Sequence, residues 1–566
     1  LIKYNKNLKL FMANTPSYPA VVVNEVDLST RVNNGNLTSF GAIAINSTWG
    51  PAEEINLVVS EKVLVDTFGK PNSNTYIDFF VASNFLAYSA SLQTVRVVDS
   101  VAKNAASNTA VLVKNSSSYD TATLTNSGAW IAKYPGAKGN SIFVAAADSG
   151  VTLTSNVNPT SSAYGIWSEY FTTIPGTSTH ASSVGGSLDE MHVLVIDSNG
   201  AFTGTAGTIL EKYAYLSKGH GAKKEDGTNN FYKDVINAQS QYIWIGDSYV
   251  LGSNSTATIS NTFGAIGTTT SSLTGGLDVN SSNTAMYVNA YDLFSDKKTV
   301  DVSHIIAGNV AATTVQGLIS MAEDRGDCVV FVSPAFSDVQ PGQSQSTIAS
   351  NIVTRKTTTI NISSSYYFMD GNWKYQYDKF NDVNRWIPCC GDVAGLKARA
   401  EITNDAWWNG SGYNRGILRN CIKLAWNPKD DYMGQIYQNS VNPIISEGGS
   451  FVLLGDKTGL VKPSSFDRIN VRSLFNTVKR QVSGFLKYGL FEFNDEFTRL
   501  MLSSQISTYL QSIKSRRGIE DYQVVCDSTN NPGSVIDNNQ LIMDIYIKPA
   551  KSINWIVLNL VNVGSS

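Results

Sequence analysis

Charge is scarce in this chain of 566 residues: Lys, Arg, Asp and Glu make up 16% of it, against about 25% in typical soluble domains. The 43 basic and 46 acidic side chains nearly cancel to a formal net charge of −3, so no positive field favours a polyanion and nucleic-acid binding is not expected. Cysteine is also scarce. Cys328, Cys389, Cys390, Cys421 and Cys526 form an odd set with no CxxC pair, which does not read as a disulfide or zinc framework. Reduced thiols in a cytosolic product are the simpler reading, with the adjacent Cys389 and Cys390 packing as small hydrophobes. The four histidines, His180, His192, His220 and His304, show no HxxxH or HxxE spacing, so no metal site is expected, and His192 reads as an ordinary strand-edge residue.

Long apolar runs are missing too. No 18-residue stretch could span a bilayer, and the opening LIKYNKNLKLF lacks the apolar core of a secretory signal. The sequon at Asn46 therefore carries no meaning. Met12 opens MANTPSYPAVVVNEV, which reads as the true beginning, with residues 1–11 as an extension. Catalytic signatures are absent: there is no GxxxxGK[ST] loop, and LTGGLD lacks the lysine and hydroxyl that would hold phosphate and Mg²⁺. No GxSxG elbow accompanies the serines, and Glu323-Asp324 falls on a polar helix end near Arg325. No catalytic residue, cofactor or metal is expected.

What is present is length, enough for roughly three or four domains, and a first 370 residues rich in Ser, Thr, Asn and Gly. AVVVNEV (20–26) reads as a lone strand. SEKVLVDTFGKP suits a helix capped by Ser60, and YIDFFVASNFLAYSASLQTVRVVD a helix followed by a strand. Residues 101–185 suit a small β-rich insertion. HVLVID, YIWIGD and CVVFVSP read as strands, and NVAATTVQGLISMAEDRG as a helix beside a sheet. The expected fold class is mixed α/β and multidomain.

The C-terminal part carries the clearest period. In SSFDRINVRSLFNTVKRQVSGFLKY, residues Phe466, Ile469, Leu474, Val478, Val482 and Phe485 fall near one helical face, with Ser464 or Ser465 as cap. In NDEFTRLMLSSQISTYLQSIKSRRG, Leu502, Ile506, Tyr509 and Ile513 form a stripe, with Asn494 as cap and Lys514, Arg516 and Arg517 suiting the C-terminal dipole. YQVVCD, QLIMDIYIKPA and SINWIVLNLVNV follow as strands, the first two joined through STNNPGS. The last, with Ile553, Trp555, Ile556, Val557 and Leu558, is apolar on both faces and close to the end. Such an edge is an aggregation hazard in a monomer and becomes useful when another subunit's sheet accepts it. Pairing within its own subunit is the plainer alternative.

One segment, DGNWKYQYDKFNDVNRWIPCCGDVAGLKA (370–398), closely resembles the tail sheath proteins of T-even-like contractile-tailed phages. The likeness continues in order through GYNRG, IKLAW, GDKT, PSSFDRINVRSLF, FEFNDEFTR and VVCDSTNN, and more weakly upstream through FGKPN, YIDFFVASNFL, KYPGAKGNSI and DVINAQSQYI. Two departures stand out: Tyr18-Pro19-Ala20 replaces the Ser-Pro-Gly of many relatives, and the 101–185 insertion is smaller than in larger ones. The aromatic run Trp373, Tyr375, Tyr377, Phe380 and Trp386, which could suggest a stacking platform, reads as core and inter-domain packing.

The resemblance implies a structural subunit, not an enzyme, that polymerises as stacked six-fold rings around a tail tube and contracts to drive the tube through the host envelope. Its implied partners are further copies of the chain, a tail tube protein, and baseplate and tail terminator proteins, without nucleic acid, cofactor or membrane insertion. It would sit in the virion after assembly in the host cytoplasm. The expected division is 1–26 as extension and linking arm, 27–100 with 186–395 as a middle α/β region, 101–185 as outer insertion, 396–552 as an inner tube-facing α/β domain, and 553–566 as a second linking arm. Val21, Val22 and Val23, with Ile553, Trp555, Ile556, Val557 and Leu558, are the candidate linking strands. Lys514, Arg516 and Arg517, or Arg468 and Arg472 with Lys479 and Arg480, are candidate tube-facing cations, with helix capping or solvation as the plainer reading. The nearest rival is the sheath of a non-viral contractile injection system, and a more distant one is a glycan-binding or glycan-cleaving fibre.

Overall fold

A computed structural model of the chain describes residues 39–254, 256–278, 284–552 and 554. The two candidate linking strands, Val21–Val23 and the run from Ile553 with Trp555 to Leu558, lie outside the described residues.

A six-stranded sheet forms the centre, in the order Tyr367–Met369, Val329–Val332, His304–Ile306, Gly41–Ile45, Leu92–Arg96, Ile55–Val58. The first five run parallel, and Ile55–Val58 closes one edge antiparallel. Parallel strands need cover on both faces, and the alternation along each strand shows it. Ala42, Ala44, Ile305, Val330 and Val332 point into one core, which includes Leu318, Ile319 and Ile352 from the helices Ala312–Arg325 and Gln345–Thr354. Ile43, Ile45, Ile306, Val329 and Phe331 point into the other, beneath the helices Tyr76–Leu86 and Cys390–Thr403. Within the described residues the expected helices and strands appear close to the residues read from periodicity. Glu61–Phe68 is capped by Ser60, and Ala312–Arg325 ends on Gly326 in the left-handed region, where glycine carries no Cβ penalty.

The segment carrying the family likeness folds as an antiparallel pair, Trp373–Asp378 with Val383–Pro388, followed by the helix Cys390–Thr403. Gly391 and Gly395, one helical turn apart, let that helix approach Tyr76–Leu86 closely. A Cβ at Gly391 would lie 2.3 Å from the Val81 carbonyl oxygen, and one at Gly395 2.6 Å from the Tyr88 ring. The aromatic run packs inward in part: Trp373 is buried beside Phe336, Trp386 packs on Tyr375, and Phe380 meets Phe79 edge-on, while Tyr377 is exposed. Cys389 and Cys390 are both free and buried.

A four-stranded antiparallel sheet, in the order Thr268–Ser272, Ile142–Ala147, Glu190–Asp197, Thr208–Ser217, forms a second module. It joins residues on both sides of the 185/186 boundary set from composition, and the helix Cys390–Thr403 likewise runs through 395/396. The reason in the first case is that Ile142–Ala147 pairs with Glu190–Asp197, across a Ser-rich stretch that holds its own short hairpin, Asn156–Asn158 with Ser161–Ile166. His192 lies on an inner strand of that sheet, not at an edge, where it is buried and stacks on Phe171 at 3.9 Å. The chain enters and leaves the module at neighbouring points: Lys103 N donates to Leu277 O at 3.2 Å, and Leu277 N to Lys103 O at 3.0 Å.

Candidate assembly surfaces

The C-terminal helices Ile469–Lys487 and Glu496–Ser515 pack through much of the stripe their periodicity predicts, Leu474, Val478 and Val482 on the first and Ile506 and Ile513 on the second, while Leu510, which that stripe did not include, is buried among them and Tyr509 is only partly buried. Asp495, not Asn494, caps the second helix, its side chain accepting from Thr498 N at 2.8 Å. Asn494 instead turns its amide oxygen to Arg499. Ser464 caps a short 3-10 turn, Ser465–Asp467, that precedes the first helix. Against the second helix lies an antiparallel pair, Ile519–Val525 with Asp544–Pro549. Eighteen residues, including the short helix Gly533–Asp537, separate its strands where the turn STNNPGS was expected. Among the described residues this sheet has only two strands, so the outer edge of each carries unpaired backbone groups.

The candidate cations separate into two kinds. Arg468 is committed within the subunit: its Nη1 donates to Tyr437 Oη at 2.7 Å and to the buried Asp456 carboxylate. Burial works against its charge, but Asp456 and Tyr437 outweigh that and hold its pKa above the ordinary arginine value. Arg472 is committed as well, its guanidinium 4.2 Å from the ring centroids of both Tyr366 and Phe466 and hydrogen-bonded to Ser365 and Tyr366. Burial lowers its pKa. Arg480 pairs with Asp301 at 3.1 Å. At the end of the second helix, Lys514 pairs with Asp521 at 2.9 Å in an exposed bridge. Arg516 pairs with Asp405 and lies over the Trp407 ring. Arg517 is exposed and makes no ion pair among the described residues.

About 30 Å away, at the start of that helix, is a feature the sequence reading missed. Tyr488 (86% exposed), Leu490, Phe491, Phe493 (85%), Phe497, Leu500 and Met501 form a run of large apolar side chains open to solvent. The signal was in FEFNDEFTR, whose phenylalanines do not fit the buried stripe. So many large apolar side chains open to solvent within fourteen residues mark a candidate interaction site.

Asp456, from the GDKT run, was also missed. Its carboxylate accepts from Asn409, Tyr437, Arg468, Ser552 and Asn554. Burial alone would raise its pKa, but the Arg468 guanidinium and the hydrogen bonds outweigh it and hold the carboxyl below the usual range. A parallel cluster surrounds Glu401, which meets Lys397 at 3.1 Å and His304 at 3.1 Å. No group of three or more His, Cys, Asp or Glu side chains could hold a metal ion among the described residues, and none of their helices is long and apolar enough to cross a membrane.

Comparison with known proteins places the chain in a family. The family profile for the phage tail sheath protein central domain matches residues 284–459, and that for the phage tail sheath C-terminal domain matches residues 461–561. The tail sheath protein of Enterobacteria phage T4 is 33% identical, with 96% of this chain and 97% of that protein covered. This chain belongs to the phage tail sheath family. The sheath protein of Vibrio phage KVP40 is 34% identical over the same shares, and that of Salmonella phage ViI is 31% identical over 92% of each chain. The fold agrees: the crystal structure of a sheath tail protein from Listeria innocua superposes with a TM-score of 0.55 at 12% identity, covering 91% of this chain and 92% of that one. A sheath tail protein from Desulfitobacterium hafniense gives 0.51 at 11%, covering 90% and 96%. The chain is therefore a structural tail sheath subunit and a virion component.

Proposed function

We propose that this sheath subunit polymerises around a tail tube as stacked rings, and that its terminal arms complete the two-stranded sheet of a neighbouring copy. The observation that carries this reading is the pair Ile519–Val525 and Asp544–Pro549, neither of whose outer edges is paired among the described residues. A two-stranded sheet is marginal alone, and added strands contribute main-chain hydrogen bonds of about 0.5–1.5 kcal/mol each. Val21–Val23 and the segment from Ile553 through Trp555 to Leu558 have the β-branched, apolar character such strands need. The exposed aromatic run supports the same reading, since it asks for cover in an assembly.

Head-to-tail contacts that do not close a ring produce helical arrays. Energy for contraction is then stored in the extended lattice, and subunits move as rigid bodies into tighter contact while arms keep them connected. A gain of ~1–3 kcal/mol per subunit, the scale of an ordinary coupling energy, sums over many copies. Contact with the tube has to break during contraction, which favours polar contacts. Because Arg468 and Arg472 are occupied within the subunit, Arg517, with Lys514 and Arg516 in exposed bridges, is the better tube-facing set.

The test is negative-stain electron microscopy of the overexpressed chain with and without its co-expressed tail tube protein. Striated cylinders, or sleeves on tubes, are expected. Compact monodisperse particles under both conditions would refute polymerisation, and unchanged sleeves from Lys514→Glu/Arg516→Glu/Arg517→Glu would remove that set from the tube contact.

A further inference from the structure

The last described residues of the chain converge on Asp456. Ser552 Oγ donates to its Oδ2 at 2.9 Å, and Asn554 Nδ2 donates to its Oδ1 at 3.1 Å and reaches Tyr437 Oη at 3.2 Å. From the body of the subunit, Asn409 Nδ2 at 2.9 Å, Tyr437 Oη at 3.1 Å and Arg468 Nη1 hold the same carboxylate. Asp456 itself sits at 3% exposure, its backbone carbonyl accepting from Ile469 N at the start of the helix Ile469–Lys487. The root of the C-terminal arm is thus tied to a rigid helix start through a buried charge.

Position in the chain gives this cluster its meaning. Ser552 follows Pro549, the end of the edge strand Asp544–Pro549, by three residues. Among the described residues that strand pairs on one side only. With nothing between, a pull on the arm would load the ladder to Ile519–Val525, whose bonds are individually weak. Hydrogen bonds to an ionised, buried carboxylate are roughly twice as strong as neutral ones, and five donors exceed the about four lone-pair sites the carboxylate offers, so the cluster is saturated.

We propose that Asp456 is an anchor that positions the root of the C-terminal arm and takes load from residues 555–566 into the subunit body before it reaches strand Asp544–Pro549. This rests on the reading that the arm links subunits. The anchor determines whether a linked row of subunits survives movement, a property separate from whether the arm can bind at all.

The deciding variant is Ser552→Ala/Asn554→Ala, which removes the arm-side donors and leaves Asp456 with Arg468, Tyr437 and Asn409. Asp456→Asn would expose Arg468 to an unbalanced burial and serves only as a second variant. Full-length chains, shown to be folded by thermal melting, are assembled into cylinders and their lengths measured before and after shear through a narrow needle. Amide exchange of residues 544–549 is followed in the unassembled subunit. The expected result is cylinders several-fold shorter than wild type after shear, or none at all, with exchange of those amides roughly tenfold faster. Wild-type lengths after shear and unchanged exchange would overturn the anchor. A chain lacking residues 555–566 separates the two ideas. If it fails to form cylinders while Ser552→Ala/Asn554→Ala behaves as wild type, the arm reading stands and the anchor falls; if it forms normal cylinders, both fall.

Discussion

Ser39 and Glu401, 362 residues apart, are joined by a hydrogen bond of 2.7 Å from the serine Oγ to the carboxylate Oε2. Ser39 Oγ also lies 2.7 Å from His304 Nε2. Both ends of the described chain are therefore held at carboxylates, Ser39 at the part-buried Glu401 and Asn554 at the buried Asp456.

Acid should loosen the Glu401 cluster. Burial pushes its carboxyl up, but Lys397 and His304 outweigh this and hold it well below the usual glutamate range. A depressed folded value gives stability that is present above the unfolded value of about 4.3 and is lost as pH falls toward the folded one. Glu401→Gln, which leaves the buried Lys397 without its counter-ion, should cost about 3–5 kcal/mol at pH 7 and progressively less below pH 4. Urea unfolding across that range checks it.

Asp370 should act in the opposite sense. Burial, reinforced by Asp392, pushes its carboxyl up to about 7 against the hydrogen bonds from Ser333 and Asn372. The folded state thus holds a proton that the unfolded state releases between about pH 4 and 7, so this group's contribution is full below that window and falls by about 1.4 kcal/mol per pH unit through it. Asp370→Asn should flatten the stability profile between about pH 4 and 7, measured by the same unfolding curves.

Gly391→Ala should destabilise the subunit by roughly 1–3 kcal/mol. Its new Cβ meets the Val81 backbone oxygen, which cannot rotate away. Gly434→Ala, where a Cβ meets nothing within 4 Å, is the control and should leave the thermal midpoint unchanged or raise it slightly, since alanine is the better helix former.

Phe491→Ser/Phe493→Ser should leave the melting of the isolated subunit within about 0.5 kcal/mol of wild type, because these side chains bury nothing in the subunit. The same pair should impair cylinder formation, scored by sedimentation. Equal loss of stability and assembly would show that the run is part of the subunit's own core.

Local pattern made the helices legible. The 3.6-residue period in Ile469–Lys487 and Glu496–Ser515, and the serine cap of Glu61–Phe68, depend on neighbours in sequence. Strand order in the central sheet was not legible, because Gly41–Ile45 pairs with His304–Ile306 across more than 250 residues and a buried parallel strand shows no alternation of polarity. The reach of the second sheet was not legible for the same reason: composition marked a turn-rich stretch, while Ile142–Ala147 pairs with Glu190–Asp197 beyond it. The basic residues were visible as charges, but not that Arg472 is sandwiched between Tyr366 and Phe466. Asp456 and Glu401 stayed hidden because their partners come together only on folding, although GDKT lay among the resembling blocks.

The paired crossing at Lys103 and Leu277 bears on how such a protein can diversify. A module that leaves and returns through two hydrogen-bonded neighbours can be lengthened, shortened or replaced by recombination without cutting any strand of the central sheet. The same crossing offers a graft point, where a foreign domain with closely spaced termini could be displayed in many copies along a tail.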